Sequence, residues 1–269
     1  MYFQQGQTYA NYQILSGPFQ GNFGIVYKAK KLPSNLEVAL KFSKLPLDKH
    51  WYQRFKNENS FLHKLNPHDN IVKAHSNVCH DKTNAYYSME YLEKSLEQYL
   101  ANVQAGDLSS KADIFLKICD GLTHAHGSRI YHRDLHSANI RMDQDEPKLV
   151  DFGMGKDGHN ANNSSVGQII WDGMVNTPEA FFHISDNPTH EEDVKKDVYA
   201  LGVILYTIFS SNNVPYTVGI RASMQNHFVA NGHSDYRQYV ALDQAERLAL
   251  YSGWLNAMDP RLVDALNVR

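Results

Sequence analysis

Up to Tyr91 the chain alternates apolar and polar positions in short runs. Tyr12–Leu15, Gly24–Lys30 and Glu37–Phe42 are rich in β-branched and aromatic residues, with Gly, Pro, Ser and Asn between them. That pattern predicts three strands joined by turns. From Lys49 to Leu65 the spacing lengthens, and Phe55, Phe61, Leu62 and Leu65 can share one face of a helix that Asn66-Pro67 ends. Ile71–Val78 and Ala85–Tyr91 read as two further strands. Beyond Leu92 the period becomes helical. Leu96–Asn102 and Ala112–His126 repeat apolar residues at three and four, with Ile114, Phe115, Ile118 and Leu122 on one side. Short strands are expected at Ile140–Met142 and Lys148–Val150, and Val198–Phe209 is apolar nearly all round, as in a helix buried within a lobe. Strands first and helices later predict an α+β chain in two lobes joined near Tyr91–Lys94.

Composition narrows the picture. The 269 residues are 42% hydrophobic and 20% charged, enough apolar material for a core and too much for a solvated coil. Lysines and arginines number 26 against 29 acids, a net charge of −3 that gives no support to a nucleic-acid partner or a polybasic membrane anchor. The longest apolar stretch, Val198–Phe209, is too short to span a bilayer, so no membrane insertion is expected. Cys79 and Cys119 are the only cysteines, and no basic-then-apolar leader opens the chain. A reducing, cytoplasmic setting is the expectation.

Four places carry candidate chemistry. Gly21-Asn22-Phe23-Gly24 lies between two strands, where glycines would let backbone amides approach a phosphate; an ordinary Gly-rich hairpin is the plain alternative. Lys41 ends the apolar run Val38-Ala39-Leu40 and needs an acid if it is buried; Glu58 on the following helix is the candidate. Asp134 and Asn139 stand five apart in an irregular segment, where a carboxylate can orient a hydroxyl and an amide oxygen can take a metal. Asp151 follows the apolar strand Lys148-Leu149-Val150 and precedes Phe152-Gly153, a setting that suits Mg²⁺.

In that order and spacing the motifs VALK at 38–41, Glu58, HRDLHSAN at 132–139, DFG at 151–153, TPE at 177–179 and KDVYALG at 196–202 resemble a eukaryotic-type protein kinase catalytic domain. The resemblance implies a single domain over 1–269, with a small β-rich lobe carrying one key helix (1–91) and a hinge and larger helical lobe (92–269). It implies phosphoryl transfer from ATP, with Mg²⁺, to a protein hydroxyl, serine or threonine favoured over tyrosine. Lys41 would hold the α/β-phosphates and pair with Glu58, and Asp134 would be the base. Asn139 and Asp151 would hold Mg²⁺, while Gly21 and Gly24 would cover the phosphates. Val26, Ala39 and Met89, Glu90, Tyr91 and Leu92 would form the adenine pocket and hinge; Leu62, His132 and Phe152 would stack and anchor on Asp197. Arg133 would receive a phosphate placed on Ser164 or Ser165.

Several positions depart from that family. Phe19 stands where the loop's first glycine is usual. His136 takes the place of a lysine, and its ordinary pKa of about 6.5 puts both forms within reach of neutrality, so turnover is expected to respond to pH through it. Arg141 replaces an apolar residue beneath the adenine; either the guanidinium stacks on the base, or a shifted strand turns Met142 to the pocket. Trp171–Asn176 matches neither the serine/threonine nor the tyrosine signature, and Arg261 comes two residues early for a pairing with Glu179. These departures support a second reading, a pseudokinase acting as a nucleotide-gated scaffold. A small-molecule phosphotransferase is a third, disfavoured by TPE. No HExxH or Cys-x-x-Cys spacing points to zinc.

Overall fold

The computed structural model describes residues 3–20, 24–43, 49–81, 84–104, 106–157, 189–210, 226–227, 230–232 and 242–257. Two compact units divide the chain at Asn160, Met1–Asn160 and Ala161–Arg269. The first opens with strands β1 (Thr8–Tyr9), β2 (Tyr12–Gln20), β3 (Gly24–Lys31) and β4 (Leu36–Ser43), followed by helix α1 (Lys49–Leu65). Strands β5 (Cys79–His80) and β6 (Ala85–Glu90) complete an antiparallel six-stranded sheet of order β1-β2-β3-β4-β6-β5. Then come β7 (Lys94–Ser95), α2 (Leu96–Leu100), α3 (Leu108–Gly127), β8 (Ile130–Tyr131), β9 (Ile140–Asp143), β10 (Glu146–Leu149) and β11 (Lys156–Asp157). Strands β10-β9-β7 form a second sheet, and β11 pairs with β8.

The two-residue period of the strands sorts side chains into an outer and an inner face. On the outer face Tyr27, Ala29, Val38, Leu40 and Phe42 join Tyr12, Ile14 and Phe3 in one buried cluster. Phe3 lies 5.2 Å from the Phe42 ring and 4.8 Å from Tyr9, and the Phe3 amide donates to the Tyr27 hydroxyl. Residues ahead of β1 therefore close over the sheet, tied by Gly6 N–H to the Ile14 carbonyl and Ile14 N–H to that of Gln7. On the inner face the register aligns Phe19, Val26, Lys41 and Tyr87 in one row and Ala39 with Met89 in the next.

Helix α1 spans the predicted residues. Its buried stripe Phe55, Phe61, Leu62, Leu65 includes a carboxylate, Glu58, at 1% exposure. Helix α3 starts four residues earlier than the pattern predicts, because Asp107 caps it by accepting the Ser110 N–H. Its Ile114, Ile118, Leu122 and Ala125 are buried and the helix packs on β10; Phe115 is half-exposed. Gly121 permits close approach, since a Cβ there would sit 2.8 Å from the Asn70 carbonyl oxygen. Helix α2 is short and held by a capping box of Ser95 and Gln98.

The strand expected at Ile71–Val78 is not a ladder. Val72 N–H bonds to the Leu149 carbonyl of β10, while Glu90 N–H of β6 bonds to that of Lys73 and His75 N–H to that of Ser88. The segment divides its hydrogen bonds between two sheets, leaving isolated bridges at Ile71 and Ala74. In the second unit, α4 (His190–Phe209) begins at a Thr189/Glu192 capping box and α5 (Gln244–Ala257) buries Trp254. Helix α4 is not buried all round. Asp193, Asp197, Ala200, Ile204, Thr207 and Ile208 are buried, but Val198, Leu205, Tyr206 and Phe209 are exposed, so one stripe and not the full circumference is covered. Among the described residues no helix is long and apolar enough to cross a membrane.

Because Phe3 fills the outer aromatic cluster, Phe3→Ala is expected to destabilise the protein by about 3 kcal/mol, the range of a core Phe truncation. Urea unfolding checks this, and an unchanged midpoint would show that the segment ahead of β1 does not hold the sheet.

Candidate active site

The inner face of the six-stranded sheet and the irregular segment around β9 bound a cavity of about 430 Å³. The sheet contributes Gly24, Val26, Ala39, Lys41, Phe19 and, from the end of β6, Met89 and Glu90; the connection after β6 contributes Tyr91, Leu92 and Glu93. The opposite wall is Asp134, His136, Ala138, Asn139, Arg141, Val150 and Asp151. Nearly every residue singled out from the sequence thus meets in one place, although Asp134 and Lys41 are far apart in the chain. Gly21 lies outside the described residues, as do Ser164, Ser165, the TPE triplet, Trp171–Asn176 and Arg261.

At the back of the cavity Lys41 Nζ donates to both oxygens of Glu58, at 2.6 and 2.7 Å, and to Asp151 Oδ1 at 3.2 Å. Lys41 is 4% exposed, so this is a buried charge held by two carboxylates. Burial alone would drive the lysine toward neutrality, but Asp151 and Glu58 outweigh it and its pKa is raised. Asp151 shows the mirror effect: burial pushes its carboxyl up, yet the Lys41 ammonium beside it brings the pKa below the ordinary carboxylate value. Burial raises Glu58, with Lys41 opposing. The phenol of Tyr87 is buried near Glu58 and its pKa lies well above the usual value, through burial first and that carboxylate second; the hydroxyl makes no well-formed hydrogen bond.

Local backbone geometry aims these groups. Asp151 sits in the left-handed region, φ 62° and ψ 64°, at the start of a 3₁₀ turn, Phe152–Met154. A non-glycine residue holds that conformation at a cost of order 1 kcal/mol, and such strain collects at functional sites. Its surroundings fix it: α1 packs on the turn, and Phe152 is fully buried with its ring 4.6 Å from His132. His132 Nε2 meets the Val150 carbonyl at 3.0 Å, and since a carbonyl only accepts, that nitrogen carries the proton. Arg133 is also left-handed, φ 65°. Arg54 of α1 lies close enough to feel its charge: burial, then Arg133, pulls Arg54 down to about 10.

Asn139 closes the turn Ser137–Asn139. Its side-chain amide donates to the Asp134 carbonyl at 2.8 Å, which ties the loop and leaves the amide oxygen turned to other partners. That oxygen and the ionised Asp151 carboxylate are hard donors of the kind Mg²⁺ takes, so this pair fits a divalent cation. His136 Nε2 stands 3.9 Å from Asp134 Oδ2. Burial lowers its pKa below 6.5, as does His132, against the raising influence of Asp151 and Glu97, and the neutral imidazole prevails near pH 7. The strand register settles the two possibilities for Arg141. Arg141 pairs with Ser95 and Lys148 and faces the cavity, whereas Met142 is buried at 3% exposure on the other side of β9.

Val72, Ala138, Glu93 and Val150 also line the cavity and were not singled out as site residues. Val150 adjoins Asp151 and Ala138 adjoins Asn139, so their neighbours could have indicated them. Nothing in the local pattern marks Val72, which reaches the cavity only because its segment bridges two sheets.

Comparison with known proteins gives a consistent picture. Residues 17–246 match the family described as Protein kinase domain. A probable serine/threonine-protein kinase, mkcB, from Dictyostelium discoideum is 36% identical over 142 residues, 51% of this chain and 19% of that protein. Receptor-like serine/threonine-protein kinase SD1-8 from Arabidopsis thaliana is 33% identical over 204 residues, 71% of this chain and 22% of that protein. The chain spans about a fifth of the length of these two relatives.

Glu58→Ala removes one partner from a buried ion pair and is expected to cost about 3 kcal/mol or more in urea unfolding. Adding Lys41→Met to it should recover part of that loss, and strictly additive losses would argue against a buried charge as the cause. The depressed Asp151 pKa gives a stabilisation present above its unfolded value of about 3.9 and lost as pH falls through the lower folded value. Asp151→Asn should therefore flatten the fall of the urea midpoint on acidification below about pH 4.

Proposed function

The chain belongs to the protein kinase domain family, and on that footing we propose that it transfers the γ-phosphoryl group of ATP to a serine or threonine hydroxyl of a protein, with Mg²⁺. The observation that carries this reading is the joint presence, around one cavity, of the Lys41–Glu58–Asp151 ion cluster with Asp134 and Asn139. In phosphoryl transfer the protein mainly positions the reactants and neutralises charge, and these groups suit both tasks.

Lys41, with its ammonium aimed by two carboxylates, binds the α/β-phosphates. Gly24, where a Cβ would stand 2.6 Å from the Phe42 carbonyl oxygen, lines the cavity and would cover the phosphates with its backbone. Asp134 orients the acceptor hydroxyl and takes its proton as the new P–O bond forms and ADP leaves. Asn139 and Asp151 would hold Mg²⁺, which when bound shields the phosphate oxygens. Val26, Ala39, Met89, Glu90 and Leu92 receive the base. Arg133 is the candidate acceptor for a regulatory phosphate, and Arg54 adds a second positive charge near it. Two free cysteines support a reducing, cytoplasmic setting.

One observation favours the second reading, a nucleotide-gated scaffold. His136 is a neutral imidazole where a cation would assist transfer. Labelled-phosphate transfer from ATP with Mg²⁺, onto the chain itself and onto generic protein acceptors, decides between them. Asp134→Ala is expected to lower the rate by about 10²–10⁴-fold while nucleotide binding persists, and Asp151→Ala should abolish Mg²⁺-dependent transfer. Binding without any transfer by the wild type would favour the scaffold.

A further inference from the structure

Arg141 places a flat, permanent cation on the wall of the cavity that faces the β-sheet. Strand pairing on both sides, Ser95 on β7 and Lys148 on β10, sets the side of β9 from which the residue projects, and only a register slip would move it to the other side. The guanidinium is also tethered. Arg141 Nη1 donates to the Glu93 carbonyl at 3.4 Å, the link just past the end of β6. Val26 and Ala39 of the sheet line the same cavity and are apolar, so they bring no charge of their own to a flat ligand there. Two carboxylates, Glu90 and Glu93, line the same end of the cavity; Lys148 Nζ engages Glu90 at 2.8 Å.

We propose that Arg141 is the specificity-determining residue of this cavity, a cationic floor that accepts the π-face of a neutral purine and turns away flat aromatic cations. The physical basis is that a guanidinium is planar, weakly hydrated and attracted to the negative face of an aromatic ring. A ligand that is itself cationic meets repulsion there which an apolar floor would not supply. Without Arg141 the acidic lining, Glu93 foremost because Lys148 already engages Glu90, would attract such a ligand. The identity of the flat ligand as a purine rests on the nucleotide reading above; the charge filter rests on the geometry.

The test uses two probes on the full chain, adenosine by calorimetry and the planar cation proflavine by fluorescence. Adenosine has no phosphate, so any change reports on the base and not on phosphate attraction. Arg141→Met keeps an unbranched stem and removes the charge and the planar head. It is expected to weaken adenosine by roughly threefold or more and to tighten proflavine by about tenfold, the two probes moving in opposite directions. Arg141→Lys, which keeps the charge and loses the planar face, should still exclude proflavine. Both probes moving together in Arg141→Met, neither moving, or proflavine binding Arg141→Lys as well as Arg141→Met would overturn the proposal. Unchanged circular dichroism excludes unfolding as the cause. If the wild type binds no adenosine, the nucleotide reading falls, and the proflavine comparison still decides the charge filter by itself.

Discussion

One buried cation organises this site. Lys41 can be 4% exposed only because Glu58 and Asp151 meet its ammonium; the lysine in turn lowers the Asp151 pKa and opposes the upward push of burial on Glu58. Removing Lys41 leaves two carboxylates out of water without their cation, which costs far more than the intact cluster contributes. The three residues come from a strand, a helix and a left-handed turn. Their contact therefore couples the sheet, α1 and the Asp151 segment into one arrangement. The strained backbone at Asp151 persists because Phe152 is buried behind it and its carboxylate is held in front.

The strand register does the remaining work of placement. Alternation sends Tyr27, Leu40 and Phe42 outward into the aromatic cluster closed by Phe3, and sends Val26, Ala39 and Lys41 inward to the cavity. The same register explains why the outer core and the inner chemistry are not independent, since Leu40, Lys41 and Phe42 are consecutive on β4. A slip of one residue would exchange the two faces.

Three side chains give this cavity a character of its own. Phe19 lies half-exposed at its rim, His136 is a neutral imidazole beside Asp134, and Arg141 is a cation where an apolar floor would be ordinary. All three line the same cavity as Lys41, Asp134, Asn139 and Asp151.

The motifs around Lys41, Asp134, Asn139 and Asp151, and the helix carrying Glu58, were legible in the chain because they are local: short apolar runs, fixed spacings and one amphipathic period. The α+β class followed from the same local patterns. What the linear pattern misplaced depended on partners distant in sequence. Ile71–Val78 has strand-like composition, but two sheets compete for its hydrogen bonds and it pairs fully with neither. The Val198–Phe209 part of α4 is apolar nearly all round, yet only the stripe through Asp197, Ala200 and Ile204 is covered. Val72 entered the site, and Arg141 rather than Met142 turned toward it, through strand pairings that no local pattern specifies. Residue type and spacing thus determined which chemistry the chain carries, while the tertiary pairings decided which faces meet and how charged each group remains, because burial and charge contact are properties of the assembled fold.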